Sequence, residues 1–137
     1  MVVELTIYSD DGARGNPGPA AIGIVVINAK GETLAEYKEV VGRATNNQAE
    51  YWALIKGLEL AQGYGVRKIT SIMDSELVVK QMKGEYRVRN IDLQPLYQKA
   101  VRLAQSFESV KYRHVKRGND KIQIADRLVN EALDEKE

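Results

Sequence analysis

The sequence predicts an α/β fold, a mixed five-stranded sheet with its first three strands antiparallel, flanked by helices in the order βββαβααβα. Two observations carry this. Three runs rich in β-branched and apolar residues follow one another at the start, separated only by short turn clusters. After them, helical periodicity alternates with short strand-like runs to the end.

The first run, VVELTIY (Val2 to Tyr8), reads as a strand. Gly12 to Ala20, containing Gly15-Asn16-Pro17-Gly18-Pro19, reads as a turn cluster, and Ala21 to Asn28 as the second strand. Ala29-Lys30-Gly31 turns the chain into a third strand, Glu32 to Val41. Thr45-Asn46-Asn47 supplies cap-forming residues for a long helix that ends near Gln62, before Gly63 and Gly65. Lys68 to Met73 is a short strand and Ser75 to Lys83 a short helix. Leu93 to Phe107 is helical, Val110 to Val115 a strand, and Ile122 to Leu133 the final helix. No repeat or linker divides the 137 residues, so one domain over residues 1–137 is expected.

Composition narrows the chemistry. There is no cysteine, which excludes a disulfide scaffold, a zinc-thiolate site and a cysteine nucleophile. The lone His114 excludes a histidine-rich metal site and is expected to pack on its strand. MVVELTIYSDDG has neither the basic start nor the apolar centre of a signal peptide, so a cytoplasmic protein, off the membrane, is the expectation. Twenty basic residues against nineteen acidic ones conceal an asymmetry. Met1 to Leu60 holds five basic and eight acidic residues, whereas Lys80 to Arg117 holds ten and three. An acidic surface suits cations and a basic one a polyanion.

Four acids stand where apolar residues or strand ends are expected. Glu50 shares a helical face with Ala53, Leu54, Gly57, Leu58 and Ala61, and Asp126 one with Ile122, Ala125, Val129 and Leu133. Asp10 closes the first strand, and Asp74 ends the fourth just before a helix. Each has a plain structural reading: a turn residue for Asp10, a helix cap for Asp74, half of a capping box for Glu50, a salt-bridge partner for Asp126. Converging on one sheet edge, the four would share a different explanation, because hard divalent cations take oxygen ligands and neutralise clustered acids.

Ile7 to Gly23 (IYSDDGARGNPGPAAIG), Ala44 to Ala61 (ATNNQAEYWALIKGLELA), Met73 to Tyr86 (MDSELVVKQMKGEY) and Ala125 to Leu133 (ADRLVNEAL) together resemble type 1 ribonuclease H, in the short prokaryotic form without a basic insertion. The resemblance covers nearly the whole chain. It implies a ribonuclease H-like fold and endonucleolytic hydrolysis of the RNA strand of RNA–DNA hybrids, leaving 5′-phosphate and 3′-hydroxyl ends. By position it makes Asp10, Glu50, Asp74 and Asp126 the catalytic and metal-binding acids. They would hold two Mg²⁺ ions about 4 Å apart, with Mn²⁺ able to substitute. It further implies hybrid contacts at Gly15, Asn16, Asn46, Asn47 and Glu76, with Tyr86, Arg87 and Arg89 on the DNA strand. A monomer without an obligate protein partner is expected.

Three departures from the family pattern bear on this. Asp11 stands where a glycine is usual, which leaves two registers: Asp10 as the catalytic acid with Asp11 in the turn, or Asp11-Gly12 as the motif dipeptide. Counting back from Gly15-Asn16-Pro17 favours Asp10. Glu76 replaces the usual glutamine, and HVKRGNDKIQIAD lacks the flexible histidine that precedes the last acid. The alternative reading is a catalytically impaired hybrid-binding module of the same fold.

Overall fold

The computed structural model describes residues 3–136, so Val2 of the first expected strand lies outside the described residues. The elements are β1 (Glu4–Ala13), β2 (Gly18–Asn28), β3 (Thr33–Ala44), α1 (Asn46–Gly63), β4 (Lys68–Met73), α2 (Glu76–Met82), α3 (Gln94–Ala104), β5 (Ser109–His114) and α4 (Asp120–Lys136). They form the expected mixed sheet, in the order β3-β2-β1-β4-β5. β1, β2 and β3 pair antiparallel, while β4 runs parallel to β1, and β5 to β4.

One boundary matters for the site. β1 does not stop at Asp10. Its ladder with β2 continues through Asp10↔Gly23, Asp11↔Ile22, Gly12↔Ala21 and Ala13↔Ala20. The expected turn over Gly12 to Ala20 therefore shrinks to the four residues between the strands, and Asp11 is a strand residue. Backbone pairing with β2 carries the strand past the point where its β-branched pattern ends.

Helices cover both faces. Leu5 and Ile7 of β1, Ile69 and Met73 of β4, and Tyr51, Leu54 and Leu58 of α1 belong to the main core, which also takes residues of α2 and α3. On the other face, α4 packs Ala125 and Leu128 against Val25 and Ile27 of β2, and Val129 and Leu133 against Ala21. Asn119 caps α4, its Oδ1 accepting from the backbone N–H groups of Lys121 and Ile122 at 3.0 and 3.2 Å. Among the described residues, no helix is long and apolar enough to cross a membrane.

α1 and α2 are tied by a buried hydrogen bond, in which Tyr51 Oη donates to Gln81 Oε1 at 2.5 Å. Burial pushes the Tyr51 phenol well above its ordinary range, so it stays a donor. Tyr51→Phe should cost about 1–3 kcal/mol, because it strands the Gln81 carbonyl in the core. Urea unfolding measures this, and an unchanged midpoint would show that the bond contributes nothing net.

Candidate active site

β1 delivers acids to both faces of its end. Alternation sends Leu5, Ile7 and Ser9 toward α1, and Thr6, Tyr8 and Asp10 toward α4. Asp11, one residue on, returns to the α1 side. The charges acting on each acid follow this split. Asp10 feels Asp74 and then Asp126, which lies within hydrogen-bonding reach, whereas Asp11 feels Glu50 most strongly. The parallel pairing Tyr8↔Ile72 brings Asp74, just beyond β4, level with the end of β1.

Asp126 reaches Asp10 because of a glycine. Gly23 is the β2 partner of Asp10, and a Cβ there would stand 2.2 Å from the Ala125 carbonyl oxygen. Only the missing side chain lets the first turns of α4 close onto the sheet. The apolar spacing around Asp126 predicts burial, yet Asp126 is exposed. It sits at the margin of the stripe, opposite the end of β1 rather than over the packed centre of the sheet.

Glu50 is half-buried on α1 and accepts a hydrogen bond from Ser75 Oγ at 2.8 Å. The same Ser75 caps α2, accepting from Val78 N–H at 3.3 Å. This removes two structural readings of the acids. The capping box of α1 is Thr45 with Gln48, and the cap of α2 is Ser75, so neither Glu50 nor Asp74 serves as a cap. Arg117, almost fully exposed, approaches Asp74 at 3.6 Å, too loosely to neutralise it.

Burial raises these carboxyls. Asp10, 5% exposed, is pushed up to about 8 by its burial and then by Asp74. Asp11 lies well above the usual carboxylate range through burial and the neighbouring Glu50. Glu50 is also raised by burial, against the opposing hydrogen bond from Ser75. Such a set of mutually repelling oxygen donors fits hard divalent cations. Among the described residues, no three of these acids stand together as a ready cage.

Beside Glu50 opens a cleft of about 500 Å³, lined by Asn16, Asn46 and Asn47. The backbone N–H of Asn46 donates to Asn16 Oδ1 at 3.0 Å, which joins the loop after β1 to the start of α1. Gly15 takes a positive φ of 106° in that loop, a conformation that favours glycine. Asn90 and Asp92 line the same cleft and were not among the expected residues. Their only signal in the sequence is an Asn-x-Asp turn ahead of α3.

Tyr86 and Arg87 line a separate groove of about 450 Å³ with Val88 and Tyr97, while Arg89 is exposed outside both. Glu76 is committed to Lys80 at 2.7 Å, and Lys80 in turn donates to Tyr86 Oη at 3.3 Å and lies over its ring. His114, expected to pack on its strand, is exposed because β5 is an edge strand.

Asp11 is the acid that pattern reasoning set aside as a turn residue, yet it faces Glu50. Asp11→Gly should raise the midpoint of the metal-free protein by about 4 °C, the equivalent of ~1 kcal/mol of relieved repulsion. A midpoint that falls instead would show that Asp11 is not repelled by Glu50.

The family model described as "Reverse transcriptase-like" matches residues 9–132. A bifunctional protein of Mycobacterium tuberculosis is 47% identical over 133 residues, covering 96% of this chain but 36% of that protein. This chain therefore spans little more than a third of that relative. A crystal structure of RNase H1 from Halobacterium salinarum superposes with a TM-score of 0.91 at 42% identity, over 96% of this chain and 98% of that one. A second, LC11-RNase H1 in complex with an RNA/DNA hybrid, gives 0.90 at 41% identity, over 96% and 98%.

Proposed function

This chain belongs to the type 1 ribonuclease H family, and on that premise we propose that residues 1–137 form one catalytic domain hydrolysing the RNA strand of RNA–DNA hybrids. Cleavage leaves 5′-phosphate and 3′-hydroxyl ends. The observation that supports this is the run of neighbouring acids, Asp126 beside Asp10, Asp10 beside Asp74 and Asp74 beside Glu50, next to the asparagine-lined cleft. The family is metal-dependent, and in this reading the four acids hold two Mg²⁺ ions, with Mn²⁺ as a substitute. When bound, such ions activate the attacking water and stabilise charge on the leaving 3′-oxygen.

The chain's own groups do the rest. Ser75 fixes the Glu50 carboxylate through its hydroxyl. Glu50, at the cleft wall, lies where an RNA 2′-hydroxyl would approach, the group that distinguishes RNA from DNA. The amides of Asn16, Asn46 and Asn47 both donate and accept, as sugar and minor-groove edges require. Tyr86, Arg87 and Arg89 track the DNA backbone. The protein acts as a monomer in the cytoplasm.

The test is product analysis on a hybrid with a defined RNA strand, with duplex DNA and duplex RNA as controls and Mg²⁺ or Mn²⁺ titrated. Cut RNA with 3′-hydroxyl ends supports the reading. Binding without any cut strand would make the chain a hybrid-binding module instead. Arg87→Ala with Arg89→Ala should weaken hybrid binding while sparing kcat. The salt slope should fall by about two units, close to one for each lost phosphate contact. A slope unchanged from the parent protein would remove both arginines from the interface.

A further inference from the structure

Among the described residues, α4 packs far less on β4 and β5 than on the other three strands. α4 packs on β1, β2 and β3, whereas the buried residues of α1, α2 and α3 join the core on the opposite face. The parallel pairings Thr6↔Thr70, Tyr8↔Ile72, Thr70↔Lys111 and Ile72↔Arg113 place these side chains in rows on the side opposite the main core. Their alternates Ile69, Met73, Val110 and Tyr112 point into the main core. This side therefore carries Lys68, Lys111 and Arg113, all exposed, around a buried Ile72, while Tyr8 packs half-buried toward α4. Among the described residues, none of the three cations has an ion-pair partner.

Two further features give this face a direction. At its far end is a hollow of about 360 Å³, lined by Thr6, Tyr8, Asn28, Lys68 and Thr70, with Glu4 as the one carboxylate. At its near end the Tyr8–Ile72–Arg113 row lies two residues before Asp10 and Asp74 in the chain. Beyond β5, Arg117 approaches Asp74 at that end. We propose that this β4–β5 face, with Lys68, Lys111 and Arg113, binds the phosphodiester backbone of a single-stranded segment extending from the hybrid. Unpaired cations in rows along two strands match the regularly spaced phosphates that a single strand presents. The inference rests on the hybrid reading only for where the strand comes from.

The experiment measures binding by fluorescence anisotropy on the full chain in chelator, so that nothing is cut. Probes are a blunt hybrid, the same hybrid with a single-stranded extension of about ten nucleotides on either end, and the extension alone. The extension should tighten binding about tenfold, with a salt slope steeper by about two units, close to 0.7 for each of three phosphates. Lys68→Gln with Lys111→Gln and Arg113→Gln should abolish that gain and leave blunt-hybrid binding and cleavage unchanged. Lys68→Arg with Lys111→Arg and Arg113→Lys, which keeps the charge, should retain it. Equal affinity for blunt and extended hybrids would overturn the proposal, as would a gain that survives the glutamine variant. Should the protein prove unable to cut hybrids, binding of the extension alone still decides this face.

Discussion

Asp10→Asn is expected to lower hybrid cleavage by about 10³-fold or more, equivalent to ~4 kcal/mol of transition-state stabilisation, while making the metal-free protein more stable. Both effects have one cause. The Asp10 carboxyl is buried against Asp74 and Asp126, and metal-free its proton affinity rises to about 8 from 3.8. Between about pH 4 and pH 8 the folded protein holds a proton that the unfolded chain has released. Stability in chelator therefore falls as pH rises through that window, and the full loss is present above pH 8. The Asn variant, with no proton to lose, should be flatter there and melt higher at pH 8. Mg²⁺ should raise the parent's midpoint and leave the variant's nearly unchanged. Thermal melts in chelator and in Mg²⁺ across this range measure all of it. A variant that still cuts and still responds to Mg²⁺ would shift the ligand role to Asp11.

Asp74→Asn should also reduce cleavage by about 10³-fold, with the midpoint in chelator rising rather than falling. Asp74 repels Asp10, Asp11 and Glu50 at once, and its one ion-pair partner among the described residues, Arg117, is exposed to solvent. Its amide analogue keeps the shape and removes the charge. The cap of α2 is unaffected, because Ser75 supplies it. A lower midpoint in chelator would assign Asp74 a structural role that no hydrogen bond here accounts for.

Much of the site was legible in the chain because its acids violate local pattern. A carboxylate in an apolar stripe or at a strand end is costly, so Glu50, Asp74 and Asp10 stand out without any structure. Asp126 stood out by the same rule for an incomplete reason, since its spacing predicted a burial that the fold does not give it. Asn90 and Asp92 were invisible. A polar turn looks the same whether it faces solvent or a cleft, and only the folded chain brings this one against α1.

The sequence by itself determined the order of elements and a mixed sheet with an antiparallel start, and it singled out the four acids. Those depend on periodicity, turn residues and caps, which act over a few residues. Tertiary structure decided which face each acid serves. β1 runs on to Ala13 because β2 keeps pairing with it, and that turns Asp11 from a turn residue into a neighbour of Glu50. Gly23 admits α4 closely enough for Asp126 to meet Asp10, a requirement set by a backbone about a hundred residues away in sequence. The exposed cations of β4 and β5 are likewise a product of packing: α4 packs chiefly on three strands of the five, and no local pattern states which strands a helix will favour.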